Sequence, residues 1–229
     1  MSTKTELQET IGRRNNRKKK QTKVKQRMPH APTLEKIENG LYLDFEGFGG
    51  QYKPDPILCG YRIGGHGPVK QVVFTQAYKA TAISADSGSH VEYNPDCTGF
   101  LRNLVSVDGA GRKLFIFSQH ETDVIERILK IRVQTRRADV HKFAKQAFPQ
   151  VDRPRTLIKY CQEAGIDVPA DYGRREVTEK FKLVREWSGS DSKWNDAPEE
   201  VKKAWRSILK HNQFDVTSMY ELMIRIKED

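Results

Sequence analysis

Three short runs of aliphatic and aromatic residues stand close together near the start of the globular part, and they constrain the fold more than any other feature. The runs are LYLDFEG (41–47), ILCGYRI (57–63) and VKQVVFTQ (69–76), and connections that contain Gly or Pro separate them. Runs of this length and composition favour β-strands. Because segments this close in sequence usually become neighbours in a sheet, we expect an antiparallel three-stranded meander.

The sequence that follows alternates between strand and helix patterns. KLFIFS (113–118) is a continuous apolar run, which is typical of a strand covered on both faces. A short helix is expected at 98–105, whereas 77–97 and 166–198 show no clean period and suggest irregular connections. We therefore predict an α/β domain in which helices pack on the faces of a mixed sheet. Stripes of apolar residues at helical spacing predict further helices within 121–133, 155–165, 199–210 and 214–226.

The positive charge of the chain is concentrated at its N-terminus. The 229 residues carry a net charge of +10, and residues 1–30 hold ten Lys or Arg against two Glu. With almost no apolar residue to bury, residues 1–33 are expected to form a disordered basic arm before one globular domain over 34–229. The arm suits either binding to nucleic-acid phosphates or a solubilising and targeting role. In the first role the candidate contacts are Arg13, Arg14, Lys18, Lys19 and Lys20.

Several classes of protein are not favoured by the sequence. No apolar stretch approaches the roughly 20 residues that cross a bilayer, and the N-terminus lacks the apolar segment of a secretory signal. The cysteines Cys59, Cys97 and Cys161 lie far apart without a C-x-x-C pair, which argues against a disulfide framework and a cysteine zinc site. We therefore expect no membrane partner and a cytoplasmic location, with association with the nucleoid as a variant of it.

The first candidate for chemistry is the D-x-E formed by Asp44 and Glu46 in the first predicted strand. Alternation along a strand places both carboxylates on one face. Two such groups on a core strand repel each other and lose hydration, and a divalent cation such as Mg²⁺ or Mn²⁺ would offset both costs. In the alternative interpretation the strand ends at Leu43, and both acids lie in solvent before a Gly-rich turn.

The second candidate is the segment HNQFD, in which His211 and Asp215 are four positions apart. They share a helical face if the helix already includes His211. Asp215 could then complete a metal site, and His211 could accept a proton from an attacking water. The alternative is a helix N-terminus with Asn212 as the cap and Asp215 near the positive end of the helix dipole. Considered alone, the pattern favours this alternative.

The third candidate, Asp139 in RRADVHKF, is on its own an ordinary acid paired with Arg136 or Arg137 at the surface. Together, the three candidates resemble the DEDD, or DnaQ-like, exonuclease superfamily, which has the ribonuclease H-like fold. The D-x-E motif on the first strand is matched by LYLDFEGF, the Asp after the fourth strand and a helix by Asp139, and the Asp of a C-terminal helix by Asp215. Within the superfamily the chain is most similar to predicted nucleases of the RecB-type, ribonuclease H-like group.

This resemblance spans about residues 40–225 and also includes FIFSQHETDVIERIL, DVHKFAKQAFPQ and HNQFDVTSMYEL. It implies a five-stranded mixed sheet flanked by helices and two-metal hydrolysis of phosphodiesters. One departure is His211, because the relatives usually have Tyr four residues before the last Asp. The resemblance implies that two Mg²⁺ or Mn²⁺ ions are held by Asp44, Glu46, Asp139 and Asp215.

The expected function is therefore that of a metal-dependent nuclease, a 3′–5′ exonuclease that acts on DNA or RNA. In this assignment His211 orients or deprotonates the water, and Lys159 contacts a substrate phosphate. The alternatives are an endonuclease on the same fold and a nucleic-acid-binding module whose nuclease site has decayed.

Aromatic and basic residues are interleaved in the segment 170–198, a pattern that suits single-stranded nucleic acid because bases stack on aromatic rings. The alternative, which we favour, is that the two tryptophans pack beneath a long loop. The residues concerned are Tyr172, Arg174, Arg175, Trp187 and Trp194.

Overall fold

The computed structural model describes most of the globular part of the chain. The described residues from Pro32 to Glu228 belong to one compact unit, and Thr33 caps the first helix with its side chain. The candidate phosphate contacts of the basic arm lie outside the described residues, as does the arm itself over residues 1–30. The described residues are 31–48, 55–83, 90–170, 172, 174–188 and 193–228.

A mixed sheet forms the centre of the molecule, and within the described residues it has six strands in the order β4-β3-β2-β1-β5-β6. β1 pairs antiparallel with β2, and β2 pairs antiparallel with β3, which confirms the predicted meander. The β1–β5, β5–β6 and β3–β4 pairs are parallel. The strands are β1 (Leu41–Glu46), β2 (Leu58–Ile63), β3 (Lys70–Val73), β4 (His90–Tyr93), β5 (Leu114–Ile116) and β6 (Arg137–Asp139).

The sheet has one strand more than the five expected. The additional strand is β4, which lies within the segment 77–97 that shows no period in the sequence. β4 is an edge strand of four residues, HVEY, and among the described strands it pairs with β3 alone. A strand this short contains too few residues to establish an alternation, and its polar composition resembles that of a turn.

Helices cover both faces of the sheet and, in the described part of the chain, are interspersed with the strands up to β6, after which only helices follow. β5 is buried throughout, as its continuous apolar run predicts. Within the described residues, no helix combines the length and the apolar character that crossing a bilayer requires. The helices are α1 (Leu34–Glu38), α2 (Lys79–Ile83), α3 (Cys97–Asn103), α4 (Gln119–Leu129), α5 (Val140–Ala147), α6 (Leu157–Glu163), α7 (Arg174–Ser188) and α8 (Glu199–Glu228).

Two hydrophobic clusters enclose the sheet. On one face, Leu43 of β1 packs in a cluster with Val124 of α4. On the other face, Leu58 of β2 packs in a cluster with Trp205 of α8. The inner strands are therefore covered on both sides, so a polar side chain on either face of β1 must have a polar partner or open onto a cavity.

The C-terminal part forms one continuous helix of 30 residues, α8, and not the two helices predicted from its apolar stripes. The segment between the two stripes contains His211 and Asn212 but no Gly or Pro that would break a helix. Both side chains are buried. The apolar stripe is interrupted here because polar residues face the interior of the protein, and this looks like a helix boundary when only the sequence is read.

The segment predicted as an irregular connection contains the helix α7. Its buried residues Phe181 and Val184 pack in the same cluster as Trp205. Trp187 and Trp194 form an edge-to-face pair with a centroid distance of 5.5 Å, and Trp194 is buried. Trp194 thus packs in the core and the partly buried Trp187 packs against it, but Trp187 belongs to a helix, so the long loop of the favoured alternative is wrong.

Candidate metal centre

The inner strand β1 carries two acids at its carboxyl-terminal half. The strand continues to Glu46, so the interpretation in which it ends at Leu43 is wrong. Asp44 and Glu46 are half-buried, whereas Leu43 and Phe45 are buried in the cluster on the opposite face. The expected alternation is confirmed, and both carboxylates lie on the face of the sheet that α8 covers.

Helix α8 brings an imidazole and a third carboxylate to these acids. His211 Nε2 lies 3.4 Å from Asp215 Oδ2 and 3.7 Å from Glu46 Oε1. One ligand atom from each of Glu46, His211 and Asp215 can be chosen so that all three lie within 4.8 Å of one another. The helical-face interpretation is therefore confirmed, and the interpretation of Asn212 as an N-cap is wrong because the helix begins thirteen residues before it, at Glu199.

A cavity opens at this position between the sheet, α4, α6 and α8. Its polar wall includes Asp44, Glu121, His211 and Asp215. The other wall of the cavity is lined by apolar side chains and by side chains with a hydroxyl group. The residues of that wall are Phe117, Ser118, Thr156, Leu157, Ile158 and Met219.

Glu121 is a site residue that the sequence analysis missed. It lies in the first turn of α4 and is buried, and its Oε2 accepts hydrogen bonds from Ser118 N at 3.0 Å and Ser118 Oγ at 2.8 Å. The spacing S-x-x-E in FSQHET identifies this capping box from sequence alone. It does not reveal that β5, which precedes α4, runs parallel to β1 and therefore delivers Glu121 to the same edge of the sheet as the D-x-E.

Electrostatic repulsion is concentrated on Asp44. Burial raises the pKa of its carboxyl well above the usual range, and the nearby carboxylates of Glu46, Asp215 and Glu121 raise it further. A hydrogen bond from Asn212 acts in the opposite direction. The pKa of Glu121 is also raised by burial, against hydrogen bonds that favour its charged form. A divalent cation at this position would relieve the repulsion that these carboxylates share.

Asp139 has contacts of its own at the junction of β6 and α5. It ends β6 and caps α5, where its Oδ1 accepts a hydrogen bond from Lys142 N at 2.8 Å. Its Oδ2 pairs with Arg137 at 2.5 Å. Asp139 is not among the residues that line the cavity. The pairing with Arg137 expected for this residue in isolation is confirmed, although the pair is partly buried and not at the surface. The assignment of Asp139 as a metal ligand stays a prediction.

Two further candidates lie close to the cavity. Tyr172 stacks on the imidazole of His211 with a centroid distance of 5.1 Å, and its hydroxyl donates to the backbone oxygen of Lys210. Lys159 follows the cavity-lining residues at the start of α6, and its Nζ donates to Asp152 O at 3.3 Å. A phosphate contact by Lys159 stays a prediction, and the side chains of Arg174 and Arg175 lie outside the described part.

Comparison with known proteins adds no assignment to this geometry. No family model matches the chain, and neither a curated protein nor a solved structure matches it. The functional interpretation therefore depends on the chemistry of the cavity and on the motifs of the sequence.

Proposed function

We propose that the protein is a metal-dependent nuclease that hydrolyses phosphodiester bonds of DNA or RNA, most simply as a 3′–5′ exonuclease. One observation carries the proposal: carboxylates from β1 and α8, at opposite ends of the described chain, converge on one cavity with an imidazole between them. The mixed sheet with helices on both faces and the D-x-E on an inner strand agree with the ribonuclease H-like fold that the resemblance implies.

The residues present suit Mg²⁺ or Mn²⁺. Both ions prefer carboxylate oxygens, and Mn²⁺ also accepts an imidazole nitrogen. Asp44, Glu46 and Asp215 would hold the two ions, and Glu121 is the buried carboxylate best placed to supply the fourth acid. Bound ions would neutralise the phosphate and lower the pKa of a water molecule. The raised pKa of Asp44 supports this assignment, because carboxylates crowded at this cost are typical of functional sites.

His211 is the residue that can receive a proton. Its side chain is 11% exposed, so it is held within the site and still reaches the cavity. Hydrogen-bond contact with a water in the cavity would allow Nε2 to take a proton, while Asp215 and Glu46 stabilise the imidazolium that results. Tyr172 limits the movement of the ring by stacking on it.

The remaining wall of the cavity suits a nucleotide. Phe117, Leu157 and Met219 offer apolar contacts for a base or sugar, and Thr156 offers a hydroxyl group. The basic residues of 1–30 would add affinity for phosphates that does not depend on sequence. An endonuclease and a binding module with a decayed site remain the competing functions, and the presence of all the carboxylates favours an enzyme.

The test is to incubate purified protein with end-labelled single- and double-stranded DNA and RNA in Mn²⁺, Mg²⁺ or EDTA. Asp44→Asn is the inactive comparison, since it keeps the shape of the side chain. A metal-dependent ladder that shortens from the 3′ end, absent in the variant, supports the exonuclease. Internal cuts support the endonuclease. Intact substrate in every lane, together with binding that is lost when residues 1–30 are deleted, supports the binding module.

A further inference from the structure

A buried chain of amide groups connects β3, α8 and Asp44. Gln71 Nε2 donates to Asn212 Oδ1 at 2.9 Å and to the backbone oxygen of Leu209 at 2.8 Å. Asn212 Nδ2 in turn donates to Asp44 Oδ2 at 2.8 Å. Gln71 and Asn212 are both 0% exposed.

The direction of these hydrogen bonds is set by the chemistry of the groups. The backbone oxygen of Leu209 can only accept, so the amide nitrogen of Gln71 must face it. The same nitrogen then meets the oxygen of Asn212, which leaves the nitrogen of Asn212 directed at Asp44. The backbone oxygen of Asp44 also accepts from this nitrogen at 3.4 Å. The orientation of the Asn212 amide that donates to Asp44 is therefore set by Gln71, which is itself fixed by the backbone oxygen of Leu209.

The strand register makes room for this chain. Asp44 of β1 is opposite Gly60 of β2, and Gly60 is opposite Gln71 of β3, so the three residues form a row across the sheet. Asn212 crosses above the middle of that row. A Cβ atom at position 60 would lie 2.1 Å from Asn212 Oδ1, so only glycine permits this approach.

An apolar core at this position would be simpler to build. Burying two amide side chains is unfavourable unless their polar atoms are paired, and Gln71 Oε1 has no hydrogen-bond partner among the described residues. Nonetheless, Gly60 makes room for Asn212, and Gln71 and Asn212 together form a hydrogen-bonded chain that ends at the carboxylate of Asp44. This arrangement is explained if the orientation of that carboxylate matters, because the outer partners of metal-binding residues fix how they face the ion.

We infer that Asn212 and Gln71 are positioning residues that hold Asp44 in the orientation that binds the divalent cation. The inference rests on the proposed function. Asn212 occupies one oxygen, Oδ2, and thereby fixes the rotamer in which the carboxylate meets the cavity. Gln71 acts one step further away, because it fixes which end of the Asn212 amide faces Asp44.

The test compares Mn²⁺ affinity in three variants, measured by titration calorimetry without substrate. Asn212→Ala removes the donor to Asp44, and Gln71→Met removes the anchor of Asn212 at nearly constant size. Tyr78→Phe is the matched control, since it deletes a buried hydrogen bond to Phe181 O that lies away from the cavity. We expect Asn212→Ala to weaken Mn²⁺ binding by about 10–100-fold. Gln71→Met should weaken it less, and Tyr78→Phe should leave it unchanged.

A second measurement separates positioning from general damage to the fold. At saturating Mn²⁺, Asn212→Ala should lower kcat on a labelled oligonucleotide and leave KM unchanged, because the amide contacts Asp44 and not the substrate. Unchanged Mn²⁺ affinity in a folded Asn212→Ala, while the wild type binds Mn²⁺, overturns this inference and leaves the proposed function standing. If Asn212→Ala does not fold, unchanged affinity in Gln71→Met has the same meaning. A wild type that binds no Mn²⁺ overturns both.

Discussion

The ring of Tyr172 lies over the imidazole of His211 at a centroid distance of 5.1 Å and an interplanar angle of 20°. The same tyrosine also contacts Phe214, with a centroid distance of 4.7 Å. His211 is thus held by a stacked ring on one side and by carboxylates at its Nε2 atom. A base that must meet a water molecule in one position benefits from such restraint.

Removing this ring should impair turnover more than stability. We expect Tyr172→Ala to lower kcat about tenfold, since an aromatic pair contributes about 0.5–1.5 kcal/mol. Tyr172→Phe keeps the ring and loses only the hydroxyl bond to Lys210 O, so it should retain most of the activity. Steady-state kinetics at saturating Mn²⁺ measure both. Equal losses in the two variants would assign the effect to the hydroxyl group and not to stacking.

Replacing an acid of the cluster should abolish metal-dependent hydrolysis and still give a folded protein. Asp215→Asn keeps the helix and the side-chain shape but removes a carboxylate close to His211. We expect activity to fall at least about 100-fold, the upper value for an outer-shell partner of a metal site. Hydrolysis of labelled oligonucleotide gives the loss, and circular dichroism verifies the fold. Activity close to that of the wild type would remove Asp215 from the proposed site.

Glu121 and Asp139 are the two candidates for the fourth carboxylate of the proposed metal site, and matched variants distinguish them. Glu121→Gln should lower both Mn²⁺ affinity and hydrolysis, because Glu121 lines the cavity and raises the pKa of Asp44. Asp139→Asn should keep both, since Asn also caps helices and Asp139 pairs with Arg137. Calorimetry and a single-turnover assay provide the readouts. The opposite result, with activity lost only in Asp139→Asn, would restore the assignment that the resemblance implies.

In the metal-free protein, the carboxyl of Asp44 should lower the free energy of unfolding as the pH rises. The folded pKa of Asp44 is raised above the unfolded value of about 3.9. The contribution of this group is therefore fully present below pH 3.9 and is lost as the pH rises through the folded pKa. In EDTA, Asp44→Asn should gain stability relative to the wild type as the pH rises from about 4 toward the folded pKa of Asp44, by up to about 1.4 kcal/mol per pH unit.

Urea unfolding at each pH measures this difference. The comparison with Asp44→Asn removes the contributions of other titrating groups, which both proteins share. Excess Mn²⁺ should reverse the order at neutral pH, because only the wild type binds the ion with its full set of carboxylates. A difference that does not depend on pH would mean that the carboxyl of Asp44 is not destabilised by its neighbours.

Local periodicity predicts the positions of some residues of this site, whereas the positions of the others depend on strand pairing and on contacts between distant segments. Alternation alone predicts that Asp44 and Glu46 share one face. The helical repeat allows the same for His211 and Asp215, although that pattern alone favours a helix start at Asn212. Glu121 could not be placed, because its position depends on the parallel pairing of β5 with β1. Asn212 was interpreted as a cap, since an amide at a break in an apolar stripe resembles a helix start when its partners, Gln71 and Asp44, are far away in sequence.

The same division applies to the fold. The apolar runs of β1, β2, β3 and β5 predicted strands correctly, because these strands are buried and strongly patterned. β4 and α7 were missed for different reasons. β4 has four residues at an edge, and α7 carries its buried residues among many charged ones.

The hydrogen bond between Asn212 and Asp44 connects positions that are 168 residues apart in the sequence. During synthesis, the strand that carries Asp44 leaves the ribosome long before the helix that carries Asn212, His211 and Asp215. A nascent chain therefore carries Asp44 without its partner Asn212 until α8 has been made. If the site cleaves nucleic acid, the messenger being translated is not exposed to it until α8 has docked on the sheet.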